Sequence, residues 1–231
     1  MSTFRFKQFE VEQTDVAMKV GTDGVLLGAW AELGGARRVL DIGTGTGVIA
    51  LMAAQRSSAE TIVGVEIDAV ASRCAAANFE ASPWSERLTV TQCAVQEFDA
   101  EPFDVIISNP PYFVDSLLSP DSRRTVARHT TDLSFADLSA AVCRLLSPEG
   151  RFALILPTEE MAKFESETPL RVVRRCEVRS VPNGTVKRVM AEFAHTSASE
   201  PHLEQLTIET EVRGQFSEQY RTLTKDFYLK F

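Results

Sequence analysis

The stretch Val39-Leu40-Asp41-Ile42-Gly43-Thr44-Gly45-Thr46-Gly47 decides the fold. Val39 to Ile42 suits a short buried strand. Glycine at alternate positions then makes a turn, and Val48 to Gln55 continues as a helix. Strand, glycine turn and helix in that order form the entrance to a nucleotide-binding α/β sheet. Small residues let the backbone approach a ligand at the helix N-terminus. The next strand, Thr61 to Glu66, ends on a carboxylate. It lies about 20 residues past the turn, the spacing at which an acidic side chain reaches ribose hydroxyls.

What the turn binds is narrowed by what it lacks. A dinucleotide fingerprint needs a third glycine where Val48 stands, and a P-loop needs Gly-Lys-Ser/Thr, which does not follow. Asp41 at the strand end would repel a pyrophosphate and attract an ammonium or a sulfonium. The sign of that charge favours S-adenosylmethionine (SAM) over NAD or ATP.

Working outward, the second landmark is Asn109-Pro110-Pro111-Tyr112, after the apolar run Phe103 to Ser108. Two consecutive prolines stop a strand and stiffen the turn beyond it. Asn109 and Tyr112 are therefore expected side by side at the carboxyl edge of the sheet, where α/β folds bind ligands. Residues 113–131 read as a long polar loop carrying Arg123, Arg124, Arg128 and His129.

Further strands are expected at Leu88 to Cys93 and Phe152 to Leu156, with helices at Ala69 to Phe79 and from a Ser134 cap through Leu146. Pro148-Glu149-Gly150 breaks that last helix. Val172 to Val181 and Val189 to Ala194 form a closing pair around an Asn183-Gly184 turn. Arg171, Arg174, Arg175 and Arg179 read as one exposed strand face. Before the glycine turn, Phe4, Phe6, Phe9 and Val11 suggest a hairpin. Thr22 or Asp23 is then expected to cap a helix through Trp30. The tail runs Leu206 to Val212, then a short helix near Phe216 to Leu223. No repeat or linker divides the chain, so one domain is expected over 1–231, with 1–36 as an N-terminal extension and 37–231 as the catalytic core.

Composition sets the outer bounds. Hydrophobic residues make up 44% of the chain, enough for a packed core. Lys and Arg number 24 against 32 Asp and Glu, a net charge of −8, which argues against binding nucleic acid over the whole surface but not at a local patch. Cys74, Cys93, Cys143 and Cys176 are far apart, and with only three histidines in the chain no metal site is read. The cysteines suit a reducing cytoplasm. No run approaches the ~18 apolar residues of a membrane span, and no signal-peptide core is present.

The glycine turn, the Glu66 strand end and Asn109-Pro110-Pro111-Tyr112 together resemble class I SAM-dependent methyltransferases acting on exocyclic or amide nitrogen. Finer features narrow the likeness: Lys19-Val20-Gly21-Thr22-Asp23-Gly24, Ala127-Arg128-His129 and Asp226-Phe227-Tyr228-Leu229. With these the chain resembles, over essentially its whole length, the bacterial tRNA-Val adenine-N6 methyltransferases, which modify adenine 37 beside the anticodon. The resemblance implies a Rossmann-like α/β fold with a seven-stranded, mostly parallel sheet whose last strand is antiparallel. It implies a cofactor site at Lys19, Thr22, Asp41, Gly43, Gly45, Gly47, Glu66, Ile67, Ala94, Val95 and Asn109. Cys93-Ala94 departs from the Asp that many relatives carry, which leaves the cofactor adenine to backbone groups and neighbours such as Val95. It further implies catalysis by Asn109, Pro110 and Tyr112, RNA contact by Tyr112, Arg123, Arg124, Arg128 and His129, tRNA as partner, and a monomer. Glutamine-N5 protein methyltransferases share the Asn-Pro-Pro-Tyr string, so that string alone does not separate them, nor an rRNA base methyltransferase. A SAM-binding interaction module without catalysis is the alternative of another class.

Overall fold

The computed structural model describes residues 2–111, 133–196 and 200–230. In chain order the elements are β1 (Thr3–Arg5), β2 (Glu10–Glu12), α1 (Thr22–Trp30), β3 (Arg38–Ile42), α2 (Val48–Arg56), β4 (Thr61–Glu66), α3 (Ala69–Glu80) and β5 (Leu88–Gln92). There follow β6 (Phe103–Ser108), α4 (Phe135–Leu145), β7 (Leu146–Pro157), α5 (Thr158–Glu167), β8 (Arg171–Arg179), β9 (Val186–Ala194), β10 (His202–Thr207) and α6 (Glu218–Thr224). Tyr112 and the basic residues Arg123, Arg124, Arg128 and His129 lie outside the described residues.

The main sheet has the order β10-β8-β9-β7-β6-β3-β4-β5. Strands β3 to β7 are mutually parallel, and β9 runs antiparallel to both β7 and β8. From β3 the chain winds outward through β4 and β5, then returns to β6 on the other flank. The crossovers diverge between β3 and β6, and their carboxyl ends open a crevice there. Ile42 pairs with Ser108, so Gly43 and Asn109 leave the sheet side by side. Strands such as β6 are apolar on both faces because helices cover both sides. One core cluster joins α1, α2 and the hairpin through Leu26, Leu27, Leu51 and Phe6. The other packs α4 and α5 on the opposite face around Ile106, Leu138, Phe152 and Phe164.

The seven expected strands are present, and β10 adds an eighth, parallel to β8. Its alternation of Leu203 and Leu206 with polar residues is too sparse to announce a strand. It is held at the edge by Glu204, which pairs with Arg174 at 2.7 Å. Pro148-Glu149-Gly150 does not separate helix from strand as expected. β7 already begins at Leu146 and accommodates the three residues in a bulge, its register against β6 shifting between Phe103 and Val105. The α1 N-cap is Gly21, without a side-chain cap. Asp23, expected as a cap, instead binds Arg188 on β9 at 2.8 Å. Nor do the β8 arginines form one exposed face. Arg174 and Arg175 point to opposite sides by strand alternation. Arg174 lies over Trp30, while Arg175 pairs with Glu165 and Arg179 with Glu177.

The β1–β2 hairpin is clasped by the C-terminal segment. Lys7 N donates to Phe227 O, and Phe6 stacks on Phe9 and meets Phe227 edge-on. Among the described residues no helix is long and apolar enough to cross a membrane.

Candidate active site

The glycine turn is built by positive φ. Gly43, Gly45 and Gly47 take +70°, +57° and +84°, where a Cβ is disfavoured. Gly43 N and Thr44 N both donate to Val65 O, stitching the turn to β4 at 2.8 and 3.1 Å. Gly45 N donates to Glu66 Oε2 and Asp68 N to Glu66 Oε1, both at 2.9 Å. Each Glu66 oxygen thus has one backbone donor and keeps acceptor capacity for a hydroxyl. Asp68 in turn caps α3, accepting from Val70 N and Ala71 N.

Asp41 lies under this turn and is only 1% exposed. Its Oδ2 accepts from Thr44 Oγ1 at 2.6 Å and Ala50 N at 3.2 Å. Oδ1 is buried and has no hydrogen-bond partner among the described residues. Burial pushes this carboxyl up to about 7, and the charge of Glu66 adds in the same direction. A buried acceptor left unpaired is costly, and a cation bound above the turn would favour the charged form of this carboxyl from a distance.

Above the turn opens a cavity of about 590 Å³. Its walls include Lys19, Thr22, Gly43, Gly45, Glu66, Ile67, Ala94, Val95 and Asn109, nine of the residues expected to hold cofactor. Asp41 and Gly47 do not reach the lining. At Gly47 a Cβ would lie 2.4 Å from the Phe79 ring, so this glycine serves the packing of α2 against α3. Pro110 is buried, also off the lining, whereas Pro111 contributes to the wall. Among the described residues the charged lining comprises Lys19 against Asp23, Glu66 and Asp68, an excess of acid that suits a cation.

Three supporting residues escaped the sequence reading. Asn78 binds the backbone of Glu12 through both its amide atoms and donates to Thr46 O, tying hairpin, α3 and glycine turn together. A lone amide on the apolar side of an alanine-rich helix was its only signal. Arg144 on α4 donates to Phe98 O at 2.6 Å, Val95 O at 3.1 Å and Gln96 O at 3.3 Å, pinning the segment that follows β5. Ser108 Oγ donates to Ile42 O at 2.9 Å, locking β6 to β3 at the crevice.

This fold and this cavity define a class I SAM-dependent methyltransferase. Residues 20–132 match the family described as methyltransferase small domain. The chain is 45% identical to the tRNA1(Val) (adenine(37)-N6)-methyltransferase of Pseudoalteromonas translucida, covering 100% of both chains. It is 44% identical to the protein of the same name from Parabacteroides distasonis, covering 98% of each. The chain belongs to the tRNA1(Val) (adenine(37)-N6)-methyltransferase family. At the level of fold it is similar to a protein described as a predicted O-methyltransferase from Agrobacterium tumefaciens. That match has a TM-score of 0.66 and 19% identity, over 89% of this chain and 96% of the other. It is also similar to the glycopeptide N-methyltransferase MtfA in complex with SAM, with a TM-score of 0.55 and 13% identity, over 80% of this chain and 100% of that one.

Proposed function

We propose that this chain transfers the methyl group of SAM to the N6 amino group of an adenine in tRNA, the adenine at position 37 beside the anticodon of tRNA-Val. Full-length relatives carry that name. The observation that carries the chemistry is the pairing of Ile42 with Ser108, which sets Asn109 beside the glycine turn at the mouth of the cavity.

Bound SAM supplies an electrophilic methyl on a sulfonium. Asp41 would support the positive charge of the cofactor through the turn it braces, and Glu66, which lines the cavity, would take the ribose hydroxyls. Lys19, Thr22, Ile67, Ala94 and Val95 complete the cofactor walls. The N6 amino group is a weak nucleophile because its lone pair is delocalised into the ring. The Asn109 side-chain oxygen and the Pro110 carbonyl accept its two protons and draw the nitrogen towards tetrahedral geometry. Pro111 fixes both acceptors in advance, so little reorganisation accompanies the charge that develops. Tyr112 stacks on the unstacked base. No general base need act before transfer, because alignment supplies the advantage, and the extra proton leaves afterwards to solvent. Arg123, Arg124, Arg128 and His129 meet RNA phosphates. The chain works as one catalytic unit, as a monomer in the cytoplasm.

Nucleoside mass spectrometry of tRNA incubated with enzyme and SAM tests this reading. The expected product is N6-methyladenosine in the anticodon-loop fragment of tRNA-Val. Methyl incorporation into protein glutamine with none into tRNA overturns it.

A further inference from the structure

A second cavity, of about 640 Å³, opens beside the first and is lined by Phe4, Ser180, Ile208, Glu209, Arg213, Phe216, Tyr220, Tyr228, Lys230 and Thr22. Thr22 also lines the cofactor cavity, so the two share a rim. The rings in this cleft form a continuous chain. Phe216 meets Tyr220 at 5.0 Å between centroids, Tyr220 meets Tyr228 at 6.3 Å, and Tyr228 meets Phe4 at 6.3 Å. Tyr220 is buried and donates to the Tyr228 hydroxyl, which keeps the row rigid. Phe216 at its outer end is 39% exposed. Around the mouth, Val212 and Leu229 are each 56% exposed. Two exposed cations, Arg213 and Lys230, stand next to them. Arg213 is carried at the tip of a tight turn closed by Thr210 N to Gln215 O at 2.7 Å, with Gly214 at φ +82°.

An exposed ring, Phe216, beside two exposed cations supplies the elements of a single-stranded nucleic-acid site. Rings stack bases without regard to sequence, and the cations follow the backbone. Charge decides the arrangement. Glu209 within the cleft excludes phosphate there, so a base enters and the phosphates lie on the rim at Arg213 and Lys230. On a chain of net charge −8, such cations beside an aromatic opening match one partner chemistry, a polyanion with flat faces.

We propose that this cleft is a second RNA subsite, which takes an unpaired nucleotide of the same strand whose target adenine enters the cofactor cavity, with Phe216 as the stacking ring. The proposal rests on the RNA reading of the active site. A nucleotide anchored across the shared rim holds the strand while the target base is turned inward.

The test uses a synthetic anticodon stem-loop RNA, with binding read by fluorescence anisotropy and methyl transfer by labelled SAM. Phe216→Ala is expected to raise both Kd and KM for RNA about tenfold, with kcat and SAM affinity unchanged and Phe216→Trp restoring both. Val212→Asp, at an exposed turn tip, is expected to weaken RNA in the same way. Replacing Arg213 and Lys230 together by Ala is expected to flatten the salt dependence of binding. RNA affinity unchanged in all three variants overturns the proposal. So does a change in sedimentation with RNA affinity intact, which assigns the surface to a second copy of the chain. A wild-type protein that binds the stem-loop without methylating it, and loses binding in Phe216→Ala, overturns the proposed reaction and supports the subsite.

Discussion

At the scale of residues, Asp41 shows what a carboxylate gains from its surroundings. Its charge is visible in the sequence, but its burial is not. From sequence Asp41 is expected against the ligand; it lies one layer below, bracing the turn through Thr44 and Ala50. Burial, assisted by Glu66, raises it from 3.8 to about 7. A raised carboxyl contributes stability that is fully present below 3.8 and is lost as pH rises through about 7. A cation bound above the turn favours the charged form and lowers that value again. SAM binding is therefore expected to expel a proton at about pH 6, and SAM affinity to climb with pH until it levels above about 7. Calorimetry in two buffers of different ionisation enthalpy measures the proton. Asp41→Asn should abolish the release and weaken SAM binding, and equal release in both proteins removes Asp41 from this role. Asn109→Ala should bind SAM normally but lose roughly 10²–10³ in kcat, as the loss of a preorganised polar group does. A near-normal turnover number would remove Asn109 from catalysis.

At the scale of elements, the strands and helices that make the crevice were legible because each combines a periodic apolar pattern with unambiguous stops. Gly43-Thr44-Gly45-Thr46-Gly47 and Asn109-Pro110-Pro111 are such stops. Both ends of the site follow from them, whereas Lys19, Thr22, Ile67, Ala94 and Val95 were expected only from the family resemblance; these too line the cavity. What stayed illegible depends on partners far along the chain. β10 pairs with β8 about 30 residues away, with Arg174 meeting Glu204 across the ladder, and Asp23 leaves its cap for Arg188, 165 residues away. Arg144 belongs to the same class: nothing near it in sequence reveals that its guanidinium gathers three carbonyls beyond β5. Those carbonyls belong to the segment after β5 whose Ala94 and Val95 line the cavity, so the arm is expected to fix the position of the backbone there. Arg144→Ala should raise the KM for SAM with little change in kcat at saturation, and Arg144→Lys, lacking the planar fork, should restore it only in part. A rise in KM for tRNA instead would show that the arm acts on RNA. Gly47→Ala tests a packing joint. It forces a Cβ into the left-handed region and against Phe79, and should cost about 2 kcal/mol or more in chemical denaturation. Unchanged stability would mean that α3 slides freely on the turn.

At the scale of the whole molecule, charge governs how RNA arrives. A surface of net charge −8 repels a polyanion except where cations are free to meet it. Many of the described arginines are not free in this sense. Arg37 pairs with Glu60, Arg174 with Glu204, Arg175 with Glu165, Arg179 with Glu177 and Arg188 with Asp23. Among the described residues lining the two cavities, Lys19 at the cofactor cavity and Arg213 and Lys230 at the second cleft remain, and the reading of the chain as an RNA enzyme adds Arg123, Arg124 and Arg128, which lie outside the described residues. Few phosphates can therefore be neutralised at once. Each contributes about −0.7 to the slope of log affinity against log salt for a single strand, so the slope should be no steeper than about −4. Anisotropy titrations of tRNA between about 50 and 200 mM KCl measure it. Replacing Arg123 and Arg128 by Ala should flatten the slope by about 1.4 with SAM affinity intact. Arg179→Ala, which removes a cation already matched by Glu177, should leave the slope unchanged. A slope near −10, or equal flattening by Arg179→Ala, would mean that RNA is met by dispersed charge over the surface rather than by a few unmatched cations.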